Sequence, residues 1–237
     1  ILSYRDSETA NTVRSLLTQA LDVSRIRVGV VWQTKASEDA HLFSGFTREV
    51  CQCVTKCAER GPCYARAIAQ RLLRDEAYYM QIDSHMRFVQ HWDQILLNMI
   101  QKCQSSKPII TTYPAGYELS NKHPIRDVCV RRVALLCADY FGKEGMLRIK
   151  ARLINAFPPF RQPVRSLFCA AGFLFAPARF ASEIPYDPSM KNLFFGEESF
   201  LAVRAWSHGW DFFAPTVNVC YHLWSRSYRP AFREVRR

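Results

Sequence analysis

Apolar and polar positions in the first hundred residues alternate between two periods. Residues 1–4 (ILSY) read as a short strand. Asp6, Ser7 and Thr9 then offer helix caps, Val13, Leu16, Leu17 and Leu21 recur at helical spacing, and an apolar run follows at 28–32. That order predicts a β-α-β unit. A stretch rich in cysteine and charge reads as a loop, after which Gly61-Pro62 opens a second helix with an apolar face of Ala65, Ile68, Ala69, Leu72 and Leu73. Proline suits a first helical turn, because its missing N–H would be unpaired there anyway. This helix feeds a strand at 78–82 that ends in Asp83-Ser84-His85. Strands alternating with helices predict a largely parallel sheet covered on both faces. In such sheets ligands bind beyond the carboxyl ends of the strands, where Asp83 and His85 stand.

The second half is richer in strands, predicted at 109–113, 129–136, 168–175 and 211–214. One helix interrupts them at 198–206, stopped near Gly209. No repeat or linker divides the chain, so residues 1–237 read as one domain. Hydrophobic residues make up 49% and charged residues 22%, which excludes a disordered or fibrous chain. The most hydrophobic stretch, 169–178, is bounded by Arg165 and Arg179 and is too short to span a bilayer.

Lysine and arginine number 32 against 21 acidic residues, a net charge of +11 that favours an anionic partner: polynucleotide, membrane surface or phosphorylated small molecule. Part of it lies in the last segment, where Arg226, Arg229, Arg233, Arg236 and Arg237 face only Glu234. This is either a solvated tail or a clamp over phosphate. Of nine cysteines, Cys51, Cys53, Cys57 and Cys63 crowd together, but their spacing lacks the paired C-x2-C of a zinc site. With no N-x-S/T sequence, a cytoplasmic, reducing location is favoured, and one or two disulfides remain open. The alternative is a secretory-pathway lumen with an N-terminal anchor removed.

In extended backbone, residues i and i+2 point the same way, so Asp83 and His85 can offer a carboxylate oxygen and an imidazole nitrogen to one ion. A mixed set of that kind suits a borderline divalent ion such as manganese. Equally, Asp83 caps the turn and His85 is a surface residue. Glu197 and Glu198 follow Gly196 at the start of a helix, where they either offset its dipole or bind or deprotonate a hydroxyl. His222, among aromatic neighbours, is a core histidine or a ligand. Arg66 is expected on the polar face of its helix, solvated or touching phosphate.

Together, RGPCYARA, QIDSHMRFVQHWD, CAAGFLFAPA, PYDPSMKNLFFGEESFLAVRAWSHGWDFFAP and CYHLWSR resemble the polypeptide N-acetylglucosaminyltransferases that modify hydroxyproline on a ubiquitin-ligase adaptor protein. That family is related to the mucin-type N-acetylgalactosaminyltransferases and shares their GT-A fold, a Rossmann-like α/β fold with a mixed, mainly parallel sheet flanked by helices. The resemblance runs from Leu2 to about Arg226. It implies a nucleotide-binding half at 1–100 and an acceptor-side half at 101–237. It implies a metal, Mn2+ or Mg2+, held by Asp83, His85 and His222, and a donor site at Tyr4, Arg5, Asp6, Arg66, Ser84 and Gly196. Ala171 and Gly172 would approach the donor sugar, Arg226 would join the diphosphate clamp, and Glu197 and Glu198 would be the catalytic pair contacting sugar or acceptor. The implied activity is retaining transfer of N-acetylglucosamine from UDP-GlcNAc to a hydroxyl of a protein, hydroxyproline or Ser/Thr. Two other classes stand beside it: a binding module for polyanions such as nucleic acid, and a metal-dependent phosphohydrolase. Basic charge is scattered with no nucleic-acid motif, so no nucleic-acid partner is expected, and a phosphohydrolase would need more carboxylates around the metal.

Overall fold

The structure is a computed structural model that describes residues 1–33, 60–119, 132–156, 160–225 and 227–228, with 50–54 described by backbone alone. Strand β1 (Leu2–Tyr4) pairs in parallel with β2 (Val28–Gln33), and β2 in parallel with β3 (Val50–Val54). The cysteine-rich stretch read as a loop therefore contributes a strand. Its VCQCV segment carries little local signal, and pairing along β2 supplies what propensity does not.

A second sheet has the order β10 (Val164–Ser166), β12 (Asp211–Ala214), β6 (Pro108–Thr111), β11 (Phe173–Pro177), β4 (Tyr78–Ile82). Strands β12 and β6 run parallel, whereas β10 and β11 are antiparallel to their neighbours. A parallel bridge between Leu2 and Asp83 joins the two sheets, so the start of β1 lies beside the end of β4 and β1 runs on past it. The result is the mixed, helix-flanked α/β fold expected, with parallel pairing along β1-β2-β3 and between β12 and β6.

Strand alternation sends Phe173 and Phe175 into one core and Leu174 and Ala176 into the other. The first core packs against α1 (Thr9–Thr18) and α3 (Trp92–Ile100); the second packs against α2 (Pro62–Gln70), α4 (Arg179–Glu183) and α5 (Glu197–Ser207). The sequence reading assigns nothing to α3, although Trp92, Leu96, Met99 and Ile100 keep the i, i+4, i+7, i+8 spacing and are buried. Helix α1 stops short of Leu21, which is exposed, and α2 ends before Leu72 and Leu73.

Strand β11 starts at Phe173, later than expected, because residues before it curl rather than extend. The Thr111 hydroxyl accepts from Ala170 N at 2.8 Å and donates to Phe173 O at 2.8 Å, fixing a tight turn at Ala171-Gly172. A small sheet, β5 (Met86–Phe88), β13 (Cys220–His222) and β7 (Ala115–Gly116), aligns His222 with Met86 in antiparallel register. The hairpin β8 (Arg132–Phe141) and β9 (Leu147–Asn155) covers the second half; 129–131, the start of the strand expected there, lie outside the described residues.

Candidate active site

A cleft of about 710 Å³ opens where β1 and β4 end. Its walls include Tyr4, Arg66, Asp83, Ser84 and His85 from the first half, and Ala171, Gly172, Gly196, Glu197, Glu198 and His222 from the second. Most of the residues singled out in the sequence thus meet in one place. Arg5 and Asp6 do not line it: Arg5 has a left-handed φ of 45° that turns the chain out of β1, and Asp6 is fully buried behind the wall. Arg226 and the rest of the basic tail lie outside the described residues, as does Cys57. A second cavity of about 340 Å³ lies between β2 and β4, but its lining is mainly apolar, with Leu16, Val28, Leu72 and Phe175.

Asp83, His85 and His222 each present a ligand atom, all within 4.8 Å of one another. His222 arrives through the pairing of β13 with β5, and its Nε2 lies 3.3 Å from Asp83 Oδ2. The two imidazole rings stand 4.5 Å apart, centroid to centroid. One oxygen and two nitrogens fit a borderline divalent ion such as manganese. Gly172 leaves the room this needs, because a Cβ there would fall 2.8 Å from Asp83 Oδ2. Burial pushes the Asp83 carboxyl up, but the His222 hydrogen bond and then the Arg66 charge outweigh it and hold the group well below the usual carboxylate range. It is an anion ready for a cation.

Arg66 departs from its expected place on a polar face: it is buried on the inner side of α2. Its Nε donates to Glu197 Oε1 at 2.6 Å and its Nη2 to Asp83 Oδ1 at 3.3 Å, while buried Nη1 has no hydrogen-bond partner among the described residues. Burial opposes the guanidinium charge, and Glu197 above all restores it. Glu197 is 5% exposed, so the Glu197–Arg66–Asp83 chain is a buried charged bridge from α5 to the end of β4.

Glu198 makes different bonds. Its Oε1 accepts from Ala171 N at 2.8 Å and its Oε2 accepts from the Tyr113 hydroxyl, so it pins the Ala171-Gly172 turn. Burial lifts its carboxyl to about 7 against the Tyr113 and Ala171 hydrogen bonds, helped by the charges of Glu197 and Asp83. Gly196 supplies the left-handed φ of 97° that starts α5.

Tyr113, Arg148 and Trp224 are among the cleft residues that the sequence did not mark. Tyr113 closes the strand expected at 109–113 but was given no role at the site, and Arg148 comes from the hairpin, its guanidinium 3.5 Å over the Phe195 ring. Trp224 is 53% exposed. Its indole N–H donates to Pro114 O at 3.2 Å, and its ring lies 4.1 Å from that of His222 and 5.8 Å from that of Tyr113. Local pattern gives no sign of these, because the contacts that orient them come from other elements.

A glycosyltransferase family model, GlcNAc, matches residues 1–59 and 44–236. The chain belongs to this GlcNAc glycosyltransferase family. No curated protein sequence matches it. Among solved structures, GalNAc-T7 with UDP, GalNAc and Mn2+ superposes with a TM-score of 0.67 at 14% identity, covering 91% of this chain and 41% of that one. Staphylococcus aureus TarS 1–349 with UDP-GlcNAc gives 0.61 at 12% identity, covering 95% and 58%, and TarS with UDP gives 0.60 at 12%, covering 95% and 60%. At such identities the likeness establishes the fold, GT-A, and this member of the family spans only about half the length of those chains.

Proposed function

We propose that this family member transfers N-acetylglucosamine from UDP-GlcNAc to a hydroxyl of a protein, hydroxyproline or Ser/Thr, with retention of anomeric configuration and with Mn2+ or Mg2+ bound. The observation that carries the reading is the convergence of Asp83, His85 and His222 at the carboxyl ends of two adjoining strands, above a cleft of about 710 Å³. The family model supports the sugar, the resemblance of the motifs supports the acceptor, and the UDP, UDP-GlcNAc and Mn2+ named with the similar structures support the donor and metal.

When bound, a divalent ion at Asp83, His85 and His222 supplies positive charge against the diphosphate as the bond to the sugar breaks. The protein's own residues do the rest. The Ala171-Gly172 turn, held by Glu198 and Thr111, brings backbone rather than side chain against the sugar. Arg66 keeps Asp83 anionic and in place. In a front-side reaction the incoming hydroxyl approaches the face that the phosphate leaves and passes its proton to that phosphate, so no nucleophilic side chain is required. Tyr113 and Trp224 form an aromatic wall beside the metal trio, suited to exclude water from that step.

We assign the chain, residues 1–237, to one catalytic domain. A cytoplasmic location is supported by the free thiols of Cys63, Cys103, Cys137, Cys169 and Cys220 among the described residues. No described helix is long and apolar enough to cross a membrane. The test of function is a panel of nucleotide sugars with manganese, read by release of free nucleoside diphosphate. Turnover confined to UDP-GlcNAc is expected. Silence across the panel, or turnover of another donor alone, overturns the assignment.

A further inference from the structure

Behind the metal trio stands a carboxylate that never reaches the cleft. Asp6 is 0% exposed, and hydrogen bonds converge on both its oxygens. Oδ2 accepts from Ser84 Oγ at 2.7 Å and lies 2.8 Å from His85 Nδ1. Oδ1 accepts from Glu8 N at 3.0 Å and from the Tyr228 hydroxyl at 2.9 Å. The backbone holds it there: Arg5, at φ 45°, turns the chain out of β1, and the Thr9 hydroxyl donates to Asp6 O at 2.7 Å.

We propose that Asp6 is the positioning residue of His85, its carboxylate accepting a hydrogen bond from Nδ1–H so that the bare Nε2 is the nitrogen offered beside Asp83 and His222. This rests on the metal-dependent reading above, because His85 is a ligand only within it. A neutral imidazole has one N–H and one lone pair, and an ionised carboxylate only accepts. Two lone pairs facing each other at 2.8 Å would repel, so the proton belongs on Nδ1 and the metal-binding lone pair on Nε2. The same contact fixes the plane of the ring. The sequence reading puts Asp6 in the nucleotide pocket; the structure gives it a place one layer back, under the ligand rather than under the donor.

Hydrogen-bond partners of this kind typically change metal affinity about 10- to 100-fold when removed. Asp6→Asn keeps the size of the side chain but replaces one accepting oxygen by a donating NH2 group. In manganese titration without nucleotide, followed by electron paramagnetic resonance of the free ion, Asp6→Asn is expected to bind about 10- to 100-fold more weakly than the unaltered protein. Tyr228→Phe removes a donor from the other oxygen and leaves the His85 contact intact, so its manganese affinity is expected to stay within about threefold of that value. The tautomer is read separately on the unaltered protein, from the nitrogen-15 chemical shifts of the His85 ring, with the Nδ1–H form expected. Manganese binding unchanged in Asp6→Asn, an equal loss in Tyr228→Phe, or an Nε2–H tautomer would each overturn the proposal. If the unaltered protein binds no manganese, the metal-dependent reading fails and takes this role with it. If it binds and Asp6→Asn binds equally, only the role of Asp6 fails.

Discussion

Replacing Arg66 by methionine tests the buried bridge most directly. Arg66 is 4% exposed and Glu197 5%, with 2.6 Å between them, so the variant leaves a carboxylate in a low-dielectric site facing no positive charge. Removing one partner of a buried ion pair costs about 3–5 kcal/mol. The bond to Asp83 adds less, since that side chain is 32% exposed and water screens it. Burial already pushes the Glu197 carboxyl up, and Arg66 is the first of the influences that hold it down. Without Arg66, Glu197 takes up a proton in the folded state that it releases on unfolding. A folded value raised above the unfolded one gives stability that is full below the unfolded value and is lost as pH rises through the folded one. The deficit of Arg66→Met is therefore expected to be largest, about 3–5 kcal/mol, at about pH 7.5 and clearly smaller at about pH 5. Urea unfolding followed by tryptophan fluorescence measures both. The double variant Arg66→Met/Glu197→Gln, which removes both charges, should lose less at about pH 7.5 than Arg66→Met alone. A deficit below about 1 kcal/mol, one equal at both pH values, or a double variant worse than the single would refute this account of the bridge.

Other expectations follow from neighbouring groups. Gly172→Ala places a methyl group 2.8 Å from Asp83 Oδ2 and so should weaken manganese binding, seen by calorimetry, while the melting temperature changes little. His222→Ala removes a proposed ligand and should lower manganese affinity by at least about tenfold; unchanged affinity would reduce the site to Asp83 and His85. Glu198, raised to about 7, contributes stability that is full below the ordinary carboxylate value and is lost as pH rises through about 7. The melting temperature of the unaltered protein should accordingly fall more steeply across that range than that of Glu198→Gln, and parallel curves would remove the assignment.

The first β-α-β unit and the strand that ends at Asp83-Ser84-His85 were legible because the evidence for them is local. Apolar spacing sets the element, and the polar D-x-H marks where it stops. The start of α5 at Glu197, one residue from the expected 198, was legible for the same reason, and α3 carried an equally clear spacing that the reading passed over. Chemistry of the site was decided elsewhere. His222 reaches Asp83 across 139 residues only because β13 pairs with β5, and no local pattern encodes that pairing. Arg66 reads as a solvated cation on a polar helix face until α5 brings Glu197 against it, because desolvation and a counter-charge exist only once two distant elements meet. Asp6 reads as a helix cap or a pocket residue, yet the turn at Arg5 aims its carboxylate at His85. Sequence thus determined which side chains stand at the ends of which strands and helices. The tertiary structure decided which of them are buried, which share a proton and which converge where an ion can bind, since those depend on dielectric and distance between parts far apart in the chain.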